Sequence, residues 1–545
     1  MSEWTIGKVF DAVAGAVPDR TMTVCGTRRR RFGEVARRTR KFANYLADNG
    51  FGAHSARGDL ERWECGQDRI ALLMRNDQYL EVMIGCLKAR AVPVNINPHY
   101  TAHEIAELLA RIEPGAIVYH RCFGPVVAEA APAGVRALIA VEDDSGTPQL
   151  PGAVDFETAV AEGAADPVID TSPDDLVMLC TGGTTGRPKG VLWRQGDMYV
   201  ASLNGADHES ADPVRELAKM TGQVWFAASP LWHAAGIWTS FAGLLAGQTI
   251  VAYDDRDRFD ADRALATVER ERVSLMTIVG DAYAGPLVRA LRAGDYDMST
   301  LMAIGTGGAA TNPVYRHELL ELIPHALIVE GYGSSETGGM GFGRSARGAE
   351  VDRFALMPGG VAVSEDRSRI LRPGDQEIGW AARTGRVPLG YLGDRDATES
   401  TFPVVDGVRM AIPGDRAGVD ADGTLRLLGR DALVINTGGE KVFVEEVEQV
   451  LRALPGIADA LVVGRASATW GQEVVALVCP DSTGADQVPT AAQLRQSCRT
   501  RLAGFKIPKS IEFVTEIRRL GNGKPDYRWA RGRVGADIAE EMGAG

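Results

Sequence analysis

A loop rich in glycine and threonine is the strongest chemical signal in the sequence. An apolar segment, Leu176–Leu179, is predicted to be a strand and leads into Thr181-Gly182-Gly183-Thr184-Thr185-Gly186-Arg187-Pro188-Lys189-Gly190. Glycines let backbone N–H groups approach an anion closely, and hydroxyl groups and a lysine add further donors. After Gly186 come Arg and Pro, where a Walker loop would have Lys and Ser/Thr. The pattern therefore predicts a phosphate-binding loop of another kind; the alternative is a flexible loop without a ligand.

The segments that surround this loop alternate between short apolar strands and amphipathic helices. Residues 69–97 have the pattern strand, helix, strand, and the alternation continues as far as residue 330. It predicts an α/β fold whose parallel-rich sheets are covered by helices. From about residue 375 the segments become shorter and richer in β-forming residues, which predicts a β-rich subdomain. After Gly429 and Arg430 a small α+β unit follows, so we predict two domains, residues 1–429 and 430–545.

Composition and charge exclude several classes of protein. The 59 basic and 72 acidic residues give a net charge of −13, which argues against a nucleic-acid partner. No apolar run approaches the ~18–20 residues of a membrane span. The seven cysteines include no Cys-x-x-Cys pair, which excludes a disulfide scaffold and the usual cysteine-based zinc sites. We therefore expect a reduced, cytoplasmic protein that acts on small molecules; the sequence leaves a homodimer open.

Six further parts of the chain carry residue types suited to binding a nucleotide or an acid. They are Pro230–Gly236, Gly307–Ala310, Gly331–Thr337, Pro413–Asp415, Gly429-Arg430 followed by Gly438–Glu440, and Gly523-Lys524. With the glycine- and threonine-rich loop, they resemble in type and order the motifs of the adenylate-forming enzymes. That family includes acyl-CoA synthetases, nonribosomal peptide adenylation domains and luciferases. The resemblance implies their fold, with a mobile C-terminal domain that carries a catalytic lysine.

The resemblance also implies a reaction and the residues that perform it. A carboxylate attacks the α-phosphorus of ATP and expels pyrophosphate, so positive charge is needed where the two anions meet. Lys524 would supply that charge, and His233, beside the acyl pocket, is a further catalytic candidate. Glu336 and Thr184 would bind Mg²⁺, a hard ion that prefers oxygen ligands. The nucleotide-binding residues that the resemblance implies are Thr181, Gly182, Gly183, Thr184, Thr185, Gly186, Lys189, Gly308, Ala309, Tyr332, Gly333, Ser334, Ser335, Asp415 and Arg430.

The segment that follows the Pro230 motif indicates which class of acid is bound. Residues 229–253 contain no Asp, Glu, Lys or Arg. Burying the ammonium group of an amino acid without a charged partner would cost several kcal/mol, so an amino-acid substrate is disfavoured. Small residues at the matching pocket positions predict a wide apolar cavity for a bulky apolar acid; close packing of backbone is the alternative. The candidate pocket residues are His233, Ala234, Gly236, Gly280, Gly307 and Gly338.

Further stretches resemble one bacterial branch of the family. Gly280-Asp281-Ala282 and the segment from Gly523 to Trp529 look like acyl-CoA synthetases that activate steroid side-chain and other polycyclic acids. This resemblance implies CoA as the acceptor of the acyl group, with a thiol tunnel lined by Gly438, Gly439 and Lys441. Three alternatives remain open: an enzyme that performs only adenylation, an enzyme that loads a separate carrier protein, and a non-catalytic binder of nucleotide or acyl-adenylate.

Three departures from the family pattern affect the geometry that the resemblance implies. One is the segment Leu520-Gly521-Asn522 before Lys524, which lacks the usual Pro or Ser/Thr that would stiffen the loop. The hinge residue of the family is Asp or Lys two positions after Arg430, where this chain has Ala432. The segment Phe51–Asp68 is longer than the usual turn at that place. The residue at the hinge affects the expected rotation of the C-terminal domain. The longer segment affects the expected shape of the loop.

Overall fold

The computed structural model describes residues 2–181, 188–256, 259–308, 311–349, 353–430, 433–437, 440–467, 471–481, 489–502, 504–520 and 523–535. Within these ranges, the side chains of Thr181, Arg430, Asn436, Glu440 and Lys441 lie outside the description. None of the described helices is both long enough and apolar enough to cross a membrane.

Helices occur along the whole length of the described chain. They are α1 (Ile6–Ala16), α2 (Phe32–Asp48), α3 (Tyr79–Lys88), α4 (Ala102–Ile112), α5 (Gly124–Ala130), α6 (Phe156–Glu162), α7 (Gln195–Ser202), α8 (Asp212–Met220), α9 (Ala234–Leu245), α10 (Ala261–Glu271), α11 (Asp281–Ala293), α12 (Pro313–Leu322), α13 (Arg395–Thr401), α14 (Val444–Arg452), α15 (Ala491–Arg499) and α16 (Tyr527–Arg533).

The strands form four sheets. They are β1 (Thr21–Cys25), β2 (Arg28–Arg31), β3 (Arg69–Leu73), β4 (Val92–Asn95), β5 (Ala116–His120), β6 (Ala137–Val141), β7 (Val154–Asp155), β8 (Leu176–Thr181), β9 (Lys189–Arg194), β10 (Val224–Ala227), β11 (Thr249–Ala252), β12 (Leu275–Ile278), β13 (Ala303–Gly307), β14 (Leu327–Ser334), β15 (Gly338–Ser345), β16 (Ala355–Leu356), β17 (Gly360–Val363), β18 (Gly379–Thr384), β19 (Gly390–Tyr391), β20 (Val404–Val405), β21 (Val408–Ala411), β22 (Asp415–Val419), β23 (Leu425–Arg430), β24 (Ile435–Thr437), β25 (Glu440–Val442), β26 (Ile457–Ser467), β27 (Gly471–Pro480) and β28 (Ser510–Phe513).

Two of the sheets are large and mostly parallel. The first has nine strands in the order β16-β15-β14-β13-β12-β10-β11-β1-β2, and the second has eight in the order β19-β9-β8-β4-β3-β5-β6-β7. Parallel pairing runs from β14 to β1 in the first sheet and from β8 to β7 in the second. Helices cover these strands, whose side chains are buried on both faces. The predicted α/β class with parallel-rich sheets is confirmed.

The other two sheets are smaller. A six-stranded antiparallel sheet has the order β20-β21-β18-β22-β23, with β17 paired to β18, and it confirms the predicted β-rich subdomain. A five-stranded sheet has the order β25-β24-β27-β26, with β28 parallel to β27. All strands of this last sheet follow residue 430, as the predicted small α+β unit requires. The domain boundary at 429/430 itself stays a prediction.

The largest apolar core lies between the two large sheets. Helices α1, α2, α3 and α9 supply many of its side chains, and Phe42 packs edge-to-face on Phe156 with ring centres 5.0 Å apart. Burying a phenylalanine fully contributes about 1.5–3 kcal/mol, so this layer fixes the sheets to each other. The long segment between residues 51 and 68 is a loop closed at its base, where the N–H of Gly52 donates to Asp68 Oδ2 at 3.0 Å.

Candidate active site

Strand β14 carries Tyr332, a candidate nucleotide-binding residue that contacts a second candidate, Asp415. The Tyr332 hydroxyl donates to Asp415 Oδ2 at 2.8 Å, which joins the nine-stranded sheet to the first residue of β22 in the six-stranded sheet. Only 8% of Asp415 is exposed. A Cβ atom on Gly333 would collide with the Gly338 carbonyl across the hairpin, so glycine is required there. The structure thus brings together two sequence-predicted nucleotide residues that lie far apart in the chain.

Glu336 lies in the turn between β14 and β15, and this turn is held by several hydrogen bonds. The Glu336 N–H donates to Ser334 Oγ at 3.3 Å, and the Ser334 N–H donates to Thr337 Oγ1 at 2.9 Å. The indole N–H of Trp193, on β9, donates to the Ser335 carbonyl at 2.8 Å. Ser334 and Ser335, predicted to contact nucleotide, therefore also shape the turn that presents the Glu336 carboxylate.

Tyr391, on β19, contacts both Glu336, the candidate Mg²⁺ ligand, and Lys189, the lysine of the predicted phosphate-binding loop. Its hydroxyl donates to Glu336 Oε1 at 2.9 Å, and the Lys189 ammonium lies 4.8 Å from the centre of its ring. Lys189 Nζ is also 3.6 Å from Asp394 Oδ2. Burial, followed by the Glu336 charge, raises the pKa of Tyr391 well above its usual value. The phenol therefore keeps its proton and remains a donor to the carboxylate.

The two catalytic candidates His233 and Lys524 interact electrostatically. His233 precedes α9, and its buried Nδ1 has no hydrogen-bond partner among the described residues. Burial, followed by the nearby positive charge of Lys524, lowers the pKa of His233 to about 3. The imidazole is therefore neutral near pH 7. The predicted position of Lys524 beside the reacting carboxylate stays a prediction.

The candidate pocket glycines have different roles in packing. A Cβ atom on Gly236 would collide with the Pro230 carbonyl, and one on Gly338 would collide with the Ser202 side chain. A Cβ atom on Gly307 would lie 3.2 Å from the Gly331 carbonyl. At these three positions, neighbouring atoms occupy the space that a side chain would need. The glycines therefore allow close packing, the alternative stated above, and do not leave the open volume that we inferred from small residues. Gly280 has φ 53°, a conformation that favours glycine immediately before α11.

Several sequence predictions fall outside the described residues. They are Gly182, Gly183, Thr184, Thr185, Gly186, Ala309, Ala432, Gly438 and Gly439, together with the side chains of Thr181, Arg430 and Lys441. Their roles in binding phosphate, Mg²⁺ and the CoA thiol, and the effect of Ala432 at the hinge, stay predictions. Gly308 is described, with φ +78° at the end of β13, and Ala234 begins α9.

Sequence reasoning missed the role of Tyr391. Its segment reads Gly390-Tyr391-Leu392-Gly393, which indicates only a turn, because nothing in local spacing places a tyrosine against a carboxylate 55 positions earlier. The contact follows from the pairing of β19 with β9 in the eight-stranded sheet. The same holds for Arg519, which contacts Asp281 across the molecule.

Replacing Tyr391 with phenylalanine tests whether its hydroxyl orients Glu336. A hydrogen bond to a charged group contributes about 1.5–3 kcal/mol, so we expect kcat/KM for ATP to fall about tenfold or more. The measurement is pyrophosphate release over a range of Mg²⁺ concentrations. Tyr296→Phe is the matched control, because the Tyr296 hydroxyl donates to a surface carboxylate, Asp262. Equal kcat/KM for Tyr391→Phe and the control would contradict the role.

Two protein-family models and several characterised enzymes are similar to this chain in sequence. The family model described as AMP-binding enzyme matches residues 10–379, and the one described as AMP-binding enzyme C-terminal domain matches residues 446–524. The medium-chain acyl-CoA ligase Mig of Mycobacterium avium is 43% identical over 541 residues, which cover 97% of this chain and 98% of that protein. The 3-oxocholest-4-en-26-oate–CoA ligase of Rhodococcus rhodochrous is 33% identical over 557 residues, 98% of this chain and 97% of that one.

Solved structures resemble the fold along almost the whole chain. ATP-bound MatB from Rhodopseudomonas palustris superposes with a TM-score of 0.80 at 22% identity, covering 98% of this chain and 100% of that one. A benzoate CoA ligase from Burkholderia xenovorans gives a TM-score of 0.78 at 22% identity, covering 97% of this chain and 100% of that one. At this identity the likeness supports the fold alone.

Proposed function

The chain belongs to the AMP-binding family of adenylate-forming enzymes, and from that premise we propose that it is an ATP-dependent acyl-CoA ligase. In the first step an acid oxygen attacks the α-phosphorus of ATP, and the bond to pyrophosphate breaks. In the second step the CoA thiol attacks the acyl carbonyl, loses its proton and displaces AMP. The observation that carries the proposal is the hydrogen bond from Tyr332 to Asp415, which joins two predicted nucleotide-binding residues from different sheets.

The described residues have distinct roles in this proposal. Asp415, oriented by Tyr332, would accept hydrogen bonds from the ribose hydroxyls. Lys524 would neutralise the acid and the α-phosphate while they approach, which stabilises charge that the transition state concentrates. His233 is neutral, so it adds no positive charge that would compete with Lys524 for the carboxylate.

The residues present fit Mg²⁺ bound mainly through substrate phosphates. Among the described residues, no group of three or more His, Cys, Asp or Glu side chains could hold a metal ion. Glu336 is a carboxylate with one oxygen engaged by Tyr391. A magnesium ion typically takes one or two carboxylates and completes its shell with phosphates and water. When bound, Mg²⁺ would offset phosphate charge; Glu336 would hold it, with Thr184 as the second predicted ligand.

The proposed acid is bulky and apolar. Helix α9, which follows His233, buries Ile237, Phe241, Leu244 and Leu245 and carries no acidic or basic side chain. An ammonium or a second carboxylate would therefore have no charged partner on this helix, at a cost in free energy. The names of the relatives, a medium-chain acyl-CoA ligase and a steroid-acid–CoA ligase, agree with this class.

A panel of acids tests the proposal and its substrate class together. We expect kcat/KM for dodecanoate or a steroid side-chain acid to exceed that for acetate by at least ~100-fold, because each buried CH₂ contributes about 0.8 kcal/mol. The assay measures pyrophosphate release and acyl-CoA formation, with and without CoA. A preference for acetate or any α-amino acid would contradict the class. Acyl-adenylate without acyl-CoA would favour the alternatives of adenylation alone or a carrier-protein acceptor.

A further inference from the structure

A group of charged side chains lies between the start of helix α11 and the segment that bears Lys524. In this segment Arg519 forms an antiparallel bridge with Pro525, and we call it the Lys524 hairpin. We call Asp281, Arg519 and Asp459 the docking cluster. Arg519 Nη2 lies 3.7 Å from Asp281 Oδ2 and donates to Asp459 Oδ2. The three side chains are 8–18% exposed, so solvent screens their interaction less than it screens a surface ion pair. Asp281 precedes the predicted boundary at 429/430, and Arg519 and Asp459 follow it.

Arg519 also contacts the backbone next to the catalytic lysine. Its Nη1 donates to the Gly523 carbonyl at 3.2 Å, one residue before Lys524. The hairpin is closed by the Leu520 N–H donating to the Lys524 carbonyl at 2.8 Å. The guanidinium therefore contacts both the carboxylate at the start of α11 and the backbone immediately before Lys524.

The hairpin rests directly on the segment that Asp281 belongs to. A Cβ atom at Gly523 would lie 3.4 Å from Ala282 Cβ and 3.6 Å from the Val279 carbonyl. Gly523 has φ +80°, which favours glycine. The backbone immediately before Lys524 therefore lies close to the junction of β12 and α11.

Each partner of the docking cluster is fixed by its own surroundings. Asp281 Oδ1 accepts from the Asn312 N–H at 2.7 Å, which aims the other oxygen at Arg519. Burial raises the pKa of Asp281, and the positive charges of Arg452 and Arg519 oppose that rise. Arg452 Nε donates to Asp459 Oδ1 at 3.1 Å, which holds the second carboxylate in place. A buried carboxylate that loses its cation is destabilised, so the contact favours the docked hairpin.

We propose that Asp281 and Arg519 are positioning residues that set Lys524 for the adenylation step and have no part in the thioester step. The proposal rests on the proposed function. In the predicted rotation of the C-terminal domain, Asp459 and Gly523 would move together with Arg519, whereas Asp281 would stay with the preceding domain. Asp281 is therefore the partner that Arg519 would leave in the second step. A displacement of about 1 Å at a reacting group can cost about a hundredfold in rate, which makes this docking contact measurable.

The experiment measures the two half-reactions separately in Asp281→Asn and Arg519→Gln. Asparagine keeps an oxygen for the Asn312 N–H and removes the charge that Arg519 meets. We expect single-turnover adenylation of dodecanoate to fall about 10–100-fold, with KM for ATP within about twofold of wild type. Thioester formation from chemically prepared dodecanoyl-adenylate and CoA should stay within about twofold. Arg518→Gln is the matched control, because it removes the same charge from an exposed neighbour.

The outcomes separate this inference from the proposed function. A wild-type protein that forms no acyl-adenylate from any acid contradicts the function; an active wild type with unchanged adenylation in Asp281→Asn overturns the inference alone. An equal fall in both half-reactions also overturns it, since a general structural role would act on both. Thermal unfolding of each variant identifies a folding defect. In the double variant, adenylation should be no lower than in Arg519→Gln; a full additional fall would show that Asp281 acts without Arg519.

Discussion

Replacement of Lys524 by alanine is expected to lower acyl-adenylate formation by at least ~10³-fold, because it removes the positive charge where two anions must meet. Thioester formation from supplied acyl-adenylate should remain within about tenfold of wild type, because the phosphate has by then been joined to the acid. Burial, followed by the positive charge of Lys524, lowers the pKa of His233, so the lysine acts electrostatically on the other catalytic candidate. Chromatography of each half-reaction measures the split.

Lys509→Ala is the control for this prediction. Lys509 is an exposed lysine that immediately precedes β28, so its removal matches the change in charge within the same C-terminal unit. We expect both half-reactions of this variant to remain near wild type. An equal loss of the two half-reactions in Lys524→Ala would show that the lysine does not act in the first step alone.

Replacement of Glu336 by glutamine is expected to lower adenylation by at least ~10²-fold even at saturating Mg²⁺. Glutamine keeps the shape and an oxygen that can accept from the Tyr391 hydroxyl, which in the wild type donates to Glu336 Oε1 at 2.9 Å. The loss would therefore report the charge that holds the metal against the phosphates. Pyrophosphate release is the measurement, titrated with Mg²⁺ at fixed ATP and acid.

Glu321→Gln is the matched control for the carboxylate. Glu321 pairs with Arg347 on the surface, and its removal changes the net charge by the same amount. Surface ion pairs contribute about 0–1 kcal/mol, so we expect activity and stability close to wild type. Pyrophosphate release by Glu336→Gln at the control rate would refute the proposed role in metal binding.

The sheets were largely predictable because their signal is local. The strand–helix–strand pattern expected over residues 69–97 is observed as β3, α3 and β4, and the alternation of strands and helices predicts the parallel pairing of β3 with β4. The hairpin of β26 and β27 extends beyond its apolar rungs, which alone leave a signal in the sequence. Its outer rungs are polar: Arg465 lies opposite Glu473 and donates to it at 2.9 Å. Such a cross-strand pair stabilises a sheet without leaving an apolar pattern in either strand.

The site was predictable where a motif carries its own chemistry and not where two distant segments meet. Tyr332 and Asp415 follow from their motifs, and the structure shows them bonded. The contact of Tyr391 with Glu336 depends on how two sheets are placed, which no single segment encodes. The glycines show the same limit, because their spacing in the sequence does not distinguish an empty volume from the close packing found at Gly236.

The candidate site draws its parts from all four sheets. Tyr332 comes from the nine-stranded sheet, Lys189 from the eight-stranded sheet, Asp415 from the six-stranded sheet, and Lys524 follows the last strand of the five-stranded sheet. Each sheet packs on an apolar core that includes its own side chains. A fragment that contains only one of these cores would therefore lack most of the candidate site residues, and we expect it to be inactive. Selection for catalysis acts on the relative placement of the sheets, and substitutions far from any ligand can change the rate while every catalytic residue stays intact.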